Sequence, residues 1–195
     1  DGRVATRNYL GVLTTVNCSA TAARFISDQF RGSALAEFPN VDGVVALGAN
    51  SGCCMTPGGE AVTYLQRALA GYARHPNFAG VLLLGLGCEQ NLVESLLQAT
   101  GLSPDERVRT MVIQDEGGTY ATVEKGVAAV TRLLEQADRA QRRTFPVSRL
   151  KLGLECGGSD GYSGISANPA LGAAVDRLVA HGGTAILSES PEVYG

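Results

Sequence analysis

The chain has 195 residues, of which 45% are hydrophobic and 18% charged, and its net charge is -3 at pH 7. This length suits one large or two modest domains with real cores, and the near-neutral balance argues against nucleic acid or an anionic membrane surface as a partner. The longest strongly apolar stretch, 79–86, is far too short to span a bilayer. Five cysteines, an odd number, and no signal-like start lead us to expect a cytoplasmic protein with reduced thiols. Glycine is the outlier, with 25 residues against an average share of about 7%.

Short apolar runs alternate with helix-patterned stretches along the whole chain. The runs cover 9–16, 44–47, 80–86, 108–113, 150–154 and 184–187. Most are continuously apolar, which is typical of strands buried on both faces of a parallel sheet. Four helical faces lie between them: Ala22, Ile26 and Phe30; Val62, Leu65, Leu69 and Tyr72; Val123, Val127, Val130 and Leu134; and Leu171, Val175 and Leu178. The alternation predicts a doubly wound α/β fold with a mostly parallel sheet and helices on both faces.

One stretch interrupts this alternation. Residues 133–149 contain several arginines and a proline, and have no apolar face after Leu134, as expected for a helix end that runs into a linker. A new β–loop–α–β unit then starts at Leu150. We therefore expect a central α/β domain over 1–140 and the first, truncated unit of another domain over 150–195, so that the chain is a piece of a longer polypeptide.

Four of the five cysteines follow predicted strands. Cys18, Cys53 and Cys88 are spaced 35 residues apart, one strand–helix period, and Cys156 follows the fifth strand. Because the carboxyl ends of parallel strands lie at one edge of a sheet, these thiols are expected to converge on one crevice. Such a set suggests iron or an iron–sulfur cluster, with zinc a weaker candidate. The alternative is that each cysteine fills space near a strand end, and Cys54 is interpreted as a spare.

The loops that carry the cysteines are rich in glycine, serine, threonine and asparagine. Glycine lets the backbone approach a ligand, and the polar side chains offer donors and helix caps. Helix N-termini at this edge would favour a carboxylate or a phosphate. Residues 85–88 begin like a dinucleotide fingerprint but lack the third glycine, so no nucleotide site is predicted.

Several longer stretches, taken together, carry a family resemblance. They are 1–9, TTVNCSATA at 14–22, AGVLLLGLGCE at 79–89, QDEGGT at 114–119, CGGSDGYSGISANPALGAA at 156–174, and Glu189-Ser190-Pro191-Glu192. These stretches resemble the altronate/galactarate dehydratase family, over nearly the whole chain. The resemblance implies a lyase that eliminates water from a sugar acid to give a 2-keto-3-deoxy acid, with a related branch that eliminates sulfite from sulfolactate.

The same resemblance implies dependence on ferrous iron or another divalent metal. It also implies an N-terminal substrate domain, fused or a separate subunit, that is missing here, followed by this central domain and the start of a C-terminal one. We expect a homo-oligomer that binds a sugar acid. With part of the site on missing domains, this chain alone is expected to be inactive.

Residue by residue, the family's motifs fall on named positions of this chain. The expected metal ligands are Cys18, Cys53, Cys88 and Cys156. The expected substrate contacts are Asn17, Ser19, Ser51, Gln114, Ser159 and Asn168. Glu89 and Asp160 are the expected general acid or base, with a pKa raised by burial.

One stretch departs from the family's pattern. Ala49-Asn50 stands where a His-Gly pair is expected, and Cys54 replaces a glycine. If that histidine is a ligand or proton carrier, its loss puts the usual activity or substrate in question. A scaffold that keeps the fold without catalysis is therefore the alternative, and sulfite elimination is another.

Overall fold

The computed structural model describes residues 3–155, 157–158 and 160–188. They form two compact units, one over Arg3–Gln141 and one that begins at Arg142. Three features predicted from the sequence lie outside the described residues, namely Cys156, Ser159 and the stretch 189–192. No helix in the described part is both long and apolar enough to cross a membrane.

The first unit is built around a four-stranded sheet. Its strands are β1 (Tyr9–Thr14), β2 (Gly43–Leu47), β3 (Phe78–Gly85) and β4 (Val108–Val112), in the spatial order β2-β1-β3-β4. All neighbours are parallel, and Leu13 of β1 pairs with Leu47 on one side and Leu83 on the other. The apolar runs therefore predicted these strands correctly, with small shifts at their ends.

Four helices cover the two faces of this sheet. They are α1 (Ala20–Asp28), α2 (Glu60–Ala73), α3 (Val93–Thr100) and α4 (Thr119–Ala137). Helices α1 and α4 share one apolar cluster with the sheet, and α2 and α3 share the cluster on the opposite face. The predicted doubly wound α/β architecture is confirmed. Helix α3 is an addition to the predicted helices, and it is short, with only Val93 and Leu96 buried.

The core follows from the alternation of side chains along the central strands. Leu10 and Val12 of β1 face α1 and α4, whereas Leu13 faces α2 and α3. Burial of each such side chain contributes about 1.5–3 kcal/mol. Gly126 lets α4 approach α1 closely, because a Cβ there would lie 2.4 Å from Cδ1 of Ile26.

In its described residues, the second unit contains two parallel strands and one α-helix. They are β5 (Lys151–Leu154), α5 (Ala167–Ala180) and β6 (Thr184–Leu187). Leu152 pairs with Ala185, so β5 and β6 are parallel neighbours in a two-stranded sheet. No described residue of α5 is buried, and Val179 is 52% exposed.

Candidate functional site

The topology of the first unit defines a crevice at the carboxyl ends of its strands. From β1 the chain proceeds to β2 on one side, and then to β3 on the other side of β1. Ligands of open α/β sheets bind outside the carboxyl ends of the strands at such a switch point. The loops that carry Cys18, Cys53 and Cys88 follow β1, β2 and β3, so the parallel sheet directs all three to this edge.

These three loops are hydrogen-bonded to one another. The backbone N–H of Asn17 donates to the carbonyl oxygen of Ser51 at 2.9 Å, and that of Asn91 donates to Gly52 at 3.1 Å. The side-chain amide of Asn91 donates to the carbonyl oxygen of Thr15, also at 3.1 Å. The cysteine-bearing loops therefore form one connected layer, which we call the edge layer (residues 15–19, 49–54 and 86–91).

Close approach within the edge layer depends on Gly52. Its φ of +105° lies in the left-handed region, and a Cβ there would be 2.2 Å from the carbonyl oxygen of Thr15. No side chain fits such a gap. The glycine excess of the sequence thus has a concrete role here, because it lets the loops after β1 and β2 touch through their backbones.

Three exposed thiols lie in the first two loops of the edge layer. Cys18 lies in a 3₁₀ turn (Asn17–Ser19) that leads into α1, and its side chain is exposed. The Sγ atoms of Cys53 and Cys54 are 4.0 Å apart. The hydrogen bond with Cys53 is the largest cause that raises the pKa of Cys54, followed by the charge of Cys53, burial and the charge of Cys18. Cys54, interpreted from the sequence as a spare, therefore lies directly beside the predicted ligand Cys53.

The thiols fit an iron site by donor chemistry. Cys18, Cys53 and Cys88 are all free and exposed, and thiolates suit iron–sulfur clusters and other soft metal sites. The 4.0 Å separation of Cys53 and Cys54 is close to the sulfur–sulfur edge of about 3.8 Å in a tetrahedral thiolate site. Within the described ranges, no group of three or more His, Cys, Asp or Glu side chains is already arranged to hold a metal ion.

Glu89 is buried inside the edge layer, with 4% of its surface exposed. Its Oε1 accepts hydrogen bonds from the hydroxyl of Thr15 at 2.7 Å and the N–H of Leu86 at 3.1 Å. Its Oε2 accepts one from the N–H of Gly87 at 2.6 Å. Burial alone would raise the pKa of Glu89, but these donors together hold it below its usual value. The expectation of a raised pKa is therefore wrong for Glu89, because the buried carboxylate is supplied with donors.

The polar residues predicted to contact substrate fall into two groups. Ser19 is fully buried, and its hydroxyl lies 2.9 Å from the carbonyl oxygen of Val16 and 3.0 Å from that of Leu84. It therefore stabilises the turn rather than facing the crevice. Asn17 and Ser51, in contrast, are exposed on the edge layer.

Gln114 brings the loop after β4 against the loop that carries Cys88. Its backbone N–H donates to the carbonyl oxygen of Leu86 at 3.0 Å. Its side chain lies over Gly87, where a Cβ would be 2.5 Å from Oε1 of Gln114. With a φ of +121°, Gly87 thus allows Gln114 to lie directly beside the backbone that presents Cys88.

Sequence reasoning missed Asn91 and Thr14 as parts of this arrangement. Asn91 is fully buried, and its Oδ1 has no hydrogen-bond partner in the part of the chain that the structure describes. Thr14 accepts a hydrogen bond of 2.7 Å from the N–H of Ala49. This bond anchors the Ala49-Asn50 stretch, which departs from the family's pattern. A polar residue at the end of an apolar strand was the available signal for Thr14, and a polar residue in place of a fingerprint glycine was the signal for Asn91.

The second unit contains the remaining described site candidates. Asp160 accepts hydrogen bonds from the N–H groups of Ser163 and Tyr162, at 2.9 and 2.8 Å. These bonds lower the pKa of Asp160, Ser163 contributing most. The expected raised pKa is wrong for Asp160 as well, because its carboxylate is exposed and closes a local turn. Asn168 lies in the first turn of α5.

Comparisons with known proteins cover both units. The family profile described as D-galactarate dehydratase/Altronate hydrolase, second domain, matches residues 1–138. The profile described as D-galactarate/Altronate dehydratase, C-terminal, matches residues 147–195. Both matches are to parts of one family of multidomain proteins.

Curated relatives give the same result over the whole chain. Altronate dehydratase of Escherichia coli (strain K12) is 38% identical over 198 residues, covering 100% of this chain and 38% of that protein. Galactarate dehydratase (L-threo-forming) of the same organism is 39% identical, covering 99% and 38%. The beta subunit of (2R)-sulfolactate sulfo-lyase from Chromohalobacter salexigens is 28% identical, covering 100% and 46%. The chain thus spans less than half the length of these relatives, and it belongs to the D-galactarate dehydratase/altronate hydrolase family.

Proposed function

We propose that this chain is part of a hydro-lyase that eliminates water from a sugar acid of the galactarate or altronate type to give a 2-keto-3-deoxy acid. The observation that carries the proposal is the edge layer, in which the loops bearing Cys18, Cys53 and Cys88 are hydrogen-bonded together at the switch point of the sheet. Membership of a dehydratase family supplies the reaction class.

The difficult step of such an elimination is removal of the weakly acidic proton beside the carboxylate. The negative charge that develops must be stabilised as an enediolate while the β-hydroxyl leaves. A ferrous ion or an iron–sulfur cluster held by Cys18, Cys53 and Cys88 of the edge layer would supply positive charge for this step when bound. Cys156, outside the described residues, stays a ligand predicted from the sequence alone.

The chain's own polar groups supply binding and proton transfer. Asn17, Ser51 and Gln114 are exposed at the crevice, and their amide and hydroxyl groups suit the hydroxyls and carboxylates of a sugar acid. Ser159 and Asn168 stay substrate contacts predicted from the sequence alone.

Glu89 and Asp160 would act as general bases rather than general acids. Each carboxyl has a lowered pKa and is therefore ionised at neutral pH. Asp160 is exposed, and its Oδ1 accepts hydrogen bonds from the N–H groups of Tyr162 and Ser163. Glu89 would first have to weaken the bonds from Thr15 and Gly87.

An activity panel on the full-length protein tests the proposal. Galactarate, altronate and sulfolactate are offered anaerobically with and without added ferrous iron, and 2-keto-3-deoxy acid and sulfite are quantified. We expect the keto acid from a sugar acid, dependent on iron, and no turnover by the isolated 195-residue chain. Turnover by that isolated chain would overturn the expectation that it is inactive alone, and sulfite release without dehydration would contradict the proposal.

A second candidate function is a scaffold without catalysis, favoured by the Ala49-Asn50 departure from the expected His-Gly pair. Iron analysis of the full-length protein distinguishes the two. A lyase of the proposed type retains iron in proportion to protein after anaerobic gel filtration, whereas a pure scaffold retains none. A Cys88→Ser variant is the control, since loss of one proposed ligand should lower iron content only if the edge layer holds it.

A further inference from the structure

Cys53 and Cys54 present two neighbouring thiols on the same side of the chain. In an extended segment, successive side chains point in opposite directions. Here Cys54 has a φ of +55°, the only positive φ of a non-glycine residue in the described ranges, and the two Sγ atoms are 4.0 Å apart. We propose that Cys53 and Cys54 form a vicinal dithiol that a hydroperoxide reversibly oxidises to a disulfide, which makes the pair a redox modification site.

The surrounding layer holds this backbone in place. Gly52 is pressed against Thr15 with no room for a Cβ, and its carbonyl oxygen accepts the N–H of Asn91. A left-handed conformation costs an ordinary residue about 1–2 kcal/mol, so the rest of the fold must offset this cost at Cys54. Both thiols nevertheless remain exposed to a soluble oxidant.

The chemistry balances with one hydroperoxide as the two-electron oxidant. The thiolate of one cysteine attacks a peroxide oxygen, the O–O bond breaks, and an alcohol or water leaves, which gives a sulfenic acid. The sulfur of the second cysteine then attacks the sulfenic sulfur, the S–O bond breaks, and water leaves as the S–S bond forms. In total, two thiols and one hydroperoxide give one disulfide, one alcohol or water, and one further water.

The resulting bond is expected to be easily reduced. Adjacent Cα atoms are about 3.8 Å apart, below the Cα separations of about 4.4–6.8 Å found in ordinary disulfides. Strained and exposed disulfides have the more oxidising potentials and are the labile ones. A dithiol reductant should therefore restore both thiols by exchange.

This inference concerns the metal-free protein, because Cys53 cannot form the disulfide while it ligates iron, and it does not need the lyase reaction. The test uses the full-length protein with a metal chelator, treated with hydrogen peroxide, alkylated and digested with trypsin. The tryptic peptide 32–67 carries Cys53 and Cys54 and no other cysteine. We expect this peptide to escape alkylation, to lose two hydrogen atoms in mass, and to recover both thiols on treatment with dithiothreitol.

Matched variants test whether the oxidation requires both Cys53 and Cys54 and no other cysteine. Cys54→Gly, which suits the positive φ, should leave Cys53 unable to form the internal bond, whereas Cys88→Ser should leave oxidation of peptide 32–67 unchanged. Circular dichroism establishes that each variant is folded. A disulfide that joins this peptide to peptide 8–24, which carries Cys18, would overturn the proposal. So would sulfinic acid at both positions without a disulfide, or unchanged alkylation after peroxide.

Discussion

The hydroxyl of Thr15 donates a 2.7 Å hydrogen bond to Oε1 of Glu89, and both side chains are buried where β1 and β3 end. A hydrogen bond to an ionised acceptor is stronger than one between neutral groups. The other donors to Glu89 belong to its own loop, so this bond is its link to the loop after β1. This hydrogen bond therefore connects the loop after β1 to the loop after β3, on either side of the switch point.

Replacement of Thr15 by valine should weaken the connection between these two loops. Valine keeps the shape but removes the hydroxyl, which leaves the buried carboxylate of Glu89 with one donor fewer. We expect the free energy of unfolding to fall by about 1.5–3 kcal/mol, measured by urea denaturation. Thr15→Ser is the matched control, because it keeps the hydroxyl and loses only a methyl group, worth about 0.8 kcal/mol. Equal losses for the two variants would mean that the hydrogen bond contributes nothing.

The lowered pKa of Glu89 gives stability a defined pH dependence. Because the folded state holds the pKa below the unfolded value of about 4.3, the carboxylate contributes stability fully above that value. The contribution disappears as pH falls through the folded pKa, since the unfolded chain takes up the proton first. Unfolding free energies measured from pH 7 down to pH 3 should fall more steeply for the wild type than for Glu89→Gln. If the unfolding free energies of the two proteins fell equally with pH, Glu89 would not be a source of the pH dependence.

The strands and most of the helices could be predicted from the sequence because the patterns that indicate them are local. Continuous apolar runs such as Val81–Leu84 identify buried parallel strands wherever they occur, and the periodic apolar face of α4 identifies a helix. The lowered pKa of Glu89 could not be predicted in this way, because one of the hydrogen-bond donors to its carboxylate is Thr15, which is distant in sequence. The positive φ of Cys54 was equally hidden, because no sequence pattern marks this residue as left-handed.

Gly52 should be the least replaceable glycine of the edge layer. In Gly52→Ala, the new Cβ would lie 2.2 Å from the carbonyl oxygen of Thr15, so backbone must move in addition to the strain of φ +105°. We expect a loss of more than about 2 kcal/mol in unfolding free energy. Gly58→Ala is the matched control, because Gly58 also has a positive φ, +67°, but nothing lies within 4 Å of its Cβ position. That variant should lose only about 1 kcal/mol, and a loss as large as that of Gly52→Ala would show that conformation alone matters.

Cys54→Gly should make the chain more stable. Relief of the left-handed conformation at φ +55° is worth about 1–2 kcal/mol, and the greater freedom of glycine in the unfolded chain costs about 0.4–1 kcal/mol. Because the Cys54 side chain is exposed, few contacts are lost, and the expected gain in unfolding free energy is about 0.8 kcal/mol, within limits of about 0 and 1.6. Cys53→Gly provides the control one residue away, where φ is not positive, so glycine should lower stability there. Denaturant unfolding under reducing conditions measures both variants, and equal changes in the two would mean that the surrounding loops do not hold Cys54 in a strained conformation.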